Sequence, residues 1–510
     1  MSFNLSKKSL LKKAAQVSML TFLSRIFGFI REMLSIQYFG VSALSDAFIT
    51  AFRIPNFFRH VFAEGALNAS FVPVIVKTVN EGNRKEANGL MTLSFLFFEG
   101  IILLIYFFVL LKTEWVVRFL APGFSPEQLA HTIPFLRILF SFLLFISSSA
   151  LLGGALNAVN HFFAPAFASP LLNIVFIISL VMCLKYNLTP DYLCWGIIGG
   201  ACLQFMMHLA FFFKHNFTFG AINAASMASF GAVMSRFLPA LFGVSIFEIN
   251  LFVSGIIASF LPKGSITLLH YGARLMNIPL GIFAVALSSI LLPHFSRLVL
   301  HAPKRLPFYL LESIKLITWI IFPTTILLLY TSENLFGLLL RSRATPEVLY
   351  NAKWVLMIYV TGLLFLCINK ILLSVFYALK DTRSPAFASG LSAGVNIAAD
   401  LIGMYFFGVF GIAAANTISA CTMTLTCFVL LHKKHGILFY FKPYLVFFIR
   451  YLSQLLVSVM ILTSIFYSIG FYQIKGIGFW LTTTSFMTIL MLLLLAGRRL
   501  CSINLYFLRK

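Results

Sequence analysis

Fourteen stretches of this chain are each long and apolar enough to pass through a bilayer, and that recurrence leaves few folds open. A helix needs about 20 mainly apolar residues to cross the hydrocarbon core. Candidate spans fall at residues 15–38, 44–76, 89–111, 130–157, 164–184, 192–213, 234–260, 266–296, 310–331, 350–378, 385–406, 409–431, 445–469 and 476–497. Hydrophobic residues make up 60% of the chain and charged residues 10%, against about 45–50% and about 25% in soluble domains. The expectation is an all-α polytopic membrane protein with about fourteen transmembrane helices, of which the long second and eighth are candidates for broken helices. The start, MSFNLSKKSLLKKAA, has the basic character of a signal peptide. Arg25 and Arg31 interrupt the apolar run behind it and no A-x-A site follows, so it reads as an amphipathic lead into the first helix.

The 38 Lys and Arg against 15 Asp and Glu give a formal charge of +23, which in a soluble protein would suggest nucleic acid. Here most of the excess falls in short loops, so no nucleic-acid partner is expected. Twenty cations lie in loops on the N-terminal side of the membrane and eight on the other, which places both termini in the cytoplasm. The seven cysteines, Cys183, Cys194, Cys202, Cys367, Cys421, Cys427 and Cys501, form no CxxC pair and lie almost all in apolar runs. They read as small core or lipid-facing residues rather than a metal site or disulfide framework.

The chain also repeats. PAFAS opens the fifth span at Pro165–Ser169 and the eleventh at Pro385–Ser389, an offset of 220 residues that also carries Pro73 onto Pro293. This predicts two six-helix halves, residues 1–220 and 221–440, with residues 441–510 forming two further helices. Six is even, so the halves insert in the same orientation, related by a pseudo-two-fold axis along the membrane normal. A central cavity between rocking halves is a transporter's architecture.

Charge inside the first two spans points to what the cavity holds. Arg25, Arg31 and Glu32 lie in the first, and Asp46, Arg53, Arg59 and Glu64 in the second. A lipid-facing charge at mid-bilayer costs roughly 2.5–3.5 kcal/mol, so four arginines would oppose insertion by about 10 kcal/mol. A hydrated, positively lined cavity suited to an anion resolves this. Ser24 and Arg31 share a face, as do Arg25 and Glu32; Asn56, His60 and Glu64 form a stripe, with Arg53 beside Asn56. Pro55 removes a backbone hydrogen bond within the second span and predicts a bent or unwound segment there. The alternative is a buried network in which Asp46 or Glu32 neutralises an arginine, but the arginines outnumber the local acids. Glu99, Glu312, Lys315, Lys370 and Arg450 stand alone in their spans and are expected to snorkel or to pair locally.

SRIFGFIRE (Ser24–Glu32), Asp46 and RIPNFFRHVFAEGALNASFVP (Arg53–Pro73) resemble the signature region of the MurJ (MviN) family of lipid II flippases, in the multidrug/oligosaccharidyl-lipid/polysaccharide exporter superfamily. APGF (Ala121–Phe124), GALNAVNHFFAPAFASPLLNI (Gly154–Ile174) and YGARLMNIPLGIFAVALSSILLP (Tyr271–Pro293) extend the resemblance along the chain. It implies a monomeric, non-enzymatic transporter in a bacterial inner membrane that exports lipid II among membrane lipids. It also implies cavity residues at Arg25, Arg31, Asp46, Arg59 and Arg274, with Arg53 at a basic position. One departure is Asn277, three residues after Arg274, where the family commonly carries an acid.

Lipid II carries a pyrophosphate and carboxylates, oxyanions that guanidinium forks bind bidentately. Arg25, Arg31, Arg59 and Arg274 are thus the expected head-group site, with Ser24, Asn56 and Glu64 beside it. The resemblance implies a tail groove at spans 13 and 14; the alternative is that they merely pack against the core. A dianionic head group leaving a negative cytoplasm gains roughly 4–5 kcal/mol per 100 mV if its charge crosses uncompensated, so the potential favours export. No cofactor is expected. A coupling Na⁺ or H⁺ has candidate ligands in Glu248, Asn396, Asp400 and Thr417, by similarity to a cation site in parts of the family; helix-to-helix hydrogen bonding is the alternative. Two other classes remain in view. A cation-coupled exporter of small amphiphiles predicts an aromatic, acid-lined cavity, and a membrane enzyme needs paired acids or histidines that the outer loops lack.

Overall fold

Apolar length sets the local structure throughout: in the computed structural model the regular elements among the described residues are all helices. The structure describes residues 7–341, 345–468 and 477–499. Cys501 lies outside them, as does the side chain of Glu64. The first stretch comprises α1 (Lys7–Phe39), α2 (Ala43–Phe58), α3 (Leu67–Asn80), α4 (Arg84–Leu111), α5 (Thr113–Leu120), α6 (Pro126–Leu139), α7 (Phe142–Ala158), α8 (Phe163–Tyr186), α9 (Pro190–Lys214) and α10 (Ala224–Ala258). Beyond these come α11 (Ser265–Pro279), α12 (Ala286–His301), α13 (Leu306–Leu340), α14 (Pro346–Thr361), α15 (Leu363–Ala378), α16 (Arg383–Phe407), α17 (Val409–His435), α18 (Phe441–Ser468) and α19 (Ile477–Ala496). Eleven helical stretches among the described residues are long and apolar enough to cross a membrane. The predicted spans 15–38, 44–76 and 234–260 are helical as well, in α1, in α2 with α3, and in α10.

Three local features differ from the sequence reading. The second and eighth spans are not broken. Each runs on through a π-helical turn, Arg59–Ala66 between α2 and α3 and Leu280–Val285 between α11 and α12. Pro55 and Pro279 lie just upstream, and a wider turn relieves the clash between a proline ring and the preceding carbonyls without exposing the backbone. The fourth and tenth spans are each interrupted briefly, at Phe140 and Ser141 and at Gly362, giving α6–α7 and α14–α15. The short α5 was not anticipated, because its eight residues fall below spanning length.

The chain divides into two compact units, one running to Leu268 with Gly337–Thr345 and the other comprising Leu269–Phe336 and the chain from Pro346. In the first, α1 packs on α8, α8 on α9, α2 on α6, and α10 on α3, α4 and the first π turn. Its core gathers Phe71, Ile75, Leu90, Phe98, Leu152, Phe212 and Phe237. Glu99 does not snorkel: it is buried and accepts a 2.6 Å hydrogen bond from Ser147 of α7.

In the second unit α16 and α17 form a tight hairpin. A Cβ on Gly403 would sit 2.8 Å from the carbonyl of Gly411, so only small residues allow this approach, as is usual where helices meet in lipid. α13 anchors α18: Tyr451 donates to the Trp319 carbonyl at 2.8 Å, and Thr318 meets the Tyr444 hydroxyl at 3.1 Å. Glu312 and Lys315 pair with each other at 2.7 Å, both buried, which is how charge at this depth avoids lipid. A cleft of about 560 Å³ opens between α13 and α19, lined by Leu327, Thr331, Trp480, Thr484 and Met487 among others.

Candidate functional site

The first cluster is built on α1 and α8. Arg31 donates from Nη2 to Glu32 Oε1 at 2.6 Å and from Nη1 to Asn173 Oδ1 at 3.0 Å. Its guanidinium lies over the ring of Phe176, 5.2 Å from the centroid. Asn173 reaches back to the Ser24 carbonyl at 3.3 Å, and Ser24 meets Ser169 at 2.7 Å. Ser169, Asn173 and Phe176 recur at helical spacing, so one face of α8 receives the polar face of α1. Arg31 is only about one-fifth exposed, and two of its five donor N–H groups carry these bonds. Three remain to engage an anion. Arg25 is exposed and has no hydrogen-bonding partner among the described residues.

The second cluster straddles the first π turn. Arg59 donates from Nε to Asn56 Oδ1 at 3.1 Å, and its Nη2 lies 3.0 Å from His60 Nε2. Arg53 lies against Gly255 of α10, where any side chain would collide with its guanidinium. The structure therefore joins Asn56, Arg59 and His60, and joins Ser24, Arg31 and Glu32.

Asp46 sits in different surroundings. It is 1% exposed and accepts from the backbone N–H of Gly264 at 2.6 Å, from Thr267 N–H at 2.9 Å and from the Thr267 hydroxyl at 2.7 Å. Gln128 of α6 adds a 3.3 Å bond. The carboxylate thus caps the start of α11, satisfying N–H groups that have no partner within that helix. Gly264 has φ +90°, a conformation that suits glycine and turns its N–H toward Asp46. Asp46 also lies in the first turn of α2, so two helix N-termini favour its negative charge.

Arg274 and Asn277 are exposed on α11, in the second unit. Among the cation candidates, Glu248 belongs to the first unit and Asn396, Asp400 and Thr417 to the second. Asn396 and Asp400 are buried on one face of α16. The Thr417 hydroxyl is directed at the Ile358 carbonyl of α14, at 3.3 Å. No three His, Cys, Asp or Glu among the described residues gather as a metal site. The sequence reading missed Ser169, Asn173 and Phe176 as partners of α1, and Gln128, Gly264 and Thr267 as partners of Asp46. Only the first group left a signal, the recurrence of polar residues on one face of an apolar helix.

Comparison with known proteins decides the family. The family described as lipid II flippase MurJ matches residues 36–491. The chain belongs to the MurJ family. A probable lipid II flippase MurJ of Buchnera aphidicola subsp. Baizongia pistaciae is 32% identical over 408 residues, 79% of each chain. A solved structure of lipid II flippase MurJ in an inward closed conformation superposes with a TM-score of 0.79 at 26% identity, over 95% of this chain and 99% of that one. An inward-facing multidrug resistance MATE transporter of the MOP superfamily matches at a TM-score of 0.67 and 13% identity, over 81% of this chain and 97% of its own. At that identity the likeness is one of fold. The MurJ relation places the Arg31 and Arg59 clusters within a transporter fold rather than an enzyme's.

Proposed function

We infer that this chain is a lipid II flippase, a transporter that moves the lipid-linked peptidoglycan precursor to the outer leaflet of a bacterial inner membrane by alternating access. The observation that carries this reading is the MurJ match across residues 36–491. The proposed architecture is fourteen spans in two six-helix halves, residues 1–220 and 221–440, followed by a C-terminal pair, with both termini cytoplasmic. Recurrent boundaries support the repeat: α8 and α16 begin at Phe163 and Arg383, and α6 and α14 at Pro126 and Pro346, each 220 residues apart.

The proposed head-group ligands are Arg25, Arg31, Arg53 and Arg59, with Ser24, Asn56 and Glu64 as polar neighbours and Arg274 as a further phosphate-binding side chain. Spare guanidinium donors on Arg31 and the exposure of Arg25 support this assignment. Asp46 serves it indirectly, by fixing the start of the helix that carries Arg274. The polyprenyl tail is assigned to a groove at the C-terminal helices, and the apolar cleft against α19 supports that. The chain is proposed to act as a monomer.

Conditional depletion tests the function: lipid II is expected to accumulate on the cytoplasmic leaflet, and an unchanged leaflet distribution would refute the assignment. A coupling cation, Na⁺ or H⁺, is proposed at Asn396 and Asp400, two buried residues one turn apart on α16. Sodium is expected to raise the thermal midpoint of the purified protein, and Asp400→Ala to remove that increase. A midpoint indifferent to sodium rejects Na⁺ binding.

A further inference from the structure

Two hairpins carry ionisable residues at matching positions that the transport reading leaves unused. His161 stands between α7 and α8 and meets His215, just past α9, with ring centroids 4.6 Å apart. Phe211 stacks on His161 at 4.7 Å. At a distance of 220 residues along the chain, Asp381 stands between α15 and α16 and meets His435, the last residue of α17, through a 2.9 Å bond to Nε2. Each contact ties the start of one hairpin arm to the end of the other.

The chemistry of the two contacts differs. Asp381 accepts from the Ser384 N–H at 2.9 Å and the Ser384 hydroxyl at 2.6 Å, and Lys434 donates to that hydroxyl at 3.0 Å. Burial alone would raise the Asp381 carboxyl. The bonds from Ser384 and His435 outweigh it and hold the group well below the usual carboxylate range. Asp381 therefore stays ionised at any physiological pH and keeps a negatively charged acceptor against His435 Nε2.

Among the described residues, the titratable and charged groups facing His161 are His215, Lys13, Lys214 and, from within α9, His208, and Lys13 also donates to the neighbouring Asn160 carbonyl at 2.9 Å. His215 faces Lys214 and Arg84. Burial first, and then these cations, push both imidazoles below the usual histidine range. A histidine shifted in this direction lends stability above its unfolded value of about 6.5, and that stability is lost as pH falls through the lower folded value. Two imidazolium rings at this separation repel.

We propose that these matched clasps answer acidification in opposite senses, the His161–His215 contact releasing the α8–α9 hairpin while the Asp381–His435 contact holds α16–α17. The inference concerns local opening and does not depend on the substrate. It is tested by hydrogen exchange of the intact protein at about pH 7.5 and about pH 5.5, corrected for intrinsic rates. Peptides covering residues 157–165 and 211–218 are expected to gain at least about three-fold in corrected exchange at the lower pH, and those covering 377–385 and 431–437 to gain none. His161→Asp gives the first clasp the chemistry of the second and is expected to abolish the gain; Asp381→His is expected to create one in the second. An equal gain in both clasps, no gain in the first, or a gain that survives His161→Asp overturns the proposal. If Asp381→His does not fold, His161→Asp decides alone.

Discussion

Arg31→Ala is expected to lower the rate at which lipid II reaches the outer leaflet of proteoliposomes by at least about tenfold. The truncation removes the fork that holds Glu32 and Asn173 while leaving donors for a phosphate oxygen. It also removes the 2.6 Å ion pair to Glu32, about 18% exposed. Arg31→Lys separates charge from geometry. An ammonium keeps the positive charge but lacks the planar fork that reaches Glu32 and Asn173 together, so it too is expected to fall to about a tenth of the wild-type rate. Wild-type transport by Arg31→Ala would remove this side chain from the head-group site, and full activity in Arg31→Lys alone would reduce its role to charge.

Asp46→Ala is expected to cost about 3 kcal/mol, which combines the loss of charge-assisted bonds with the loss of a helix cap. Three donors at the start of α11 lose their acceptor together, and Gln128 loses a fourth contact. All of these groups are too deeply placed for water to replace the carboxylate cheaply. Asp46→Asn retains one acceptor oxygen and is expected to lose about half as much. The measurement is the thermal-unfolding midpoint in detergent, with a fall of roughly 5 °C for alanine. An unchanged midpoint would show that α11 does not rely on this cap.

Much of the fold could be read from the chain because a membrane-spanning helix is a local property. Apolar length and the near-absence of charge located α4, α8, α9, α16 and α17 to within about two to five residues, with no knowledge of their neighbours. The arginines of α1 and α2 were equally legible, since charge in an apolar run is conspicuous wherever it packs. Their partners were not. Asn173 lies 142 residues from Arg31, and Thr267 lies 221 residues from Asp46. Nothing in either neighbourhood encodes such a meeting. Asp46 shows the limit most clearly: an acid among arginines reads as part of an ion-binding cluster, but its bonds go mainly to backbone and hydroxyl donors at the start of another helix.

The turn at Arg59–Ala66 changes how side chains on either side of it are compared. A π-type loop accommodates one residue more than an α-helical turn, so positions after it are rotated by about 100° from where an ideal wheel would draw them. Arg53 and Asn56 precede the shift, and Asn68 and Ser70 follow it. Cysteine-accessibility scans along this segment should therefore show two azimuthal phases instead of one, and labelling patterns averaged across it would blur a sharply sided surface into a uniform one.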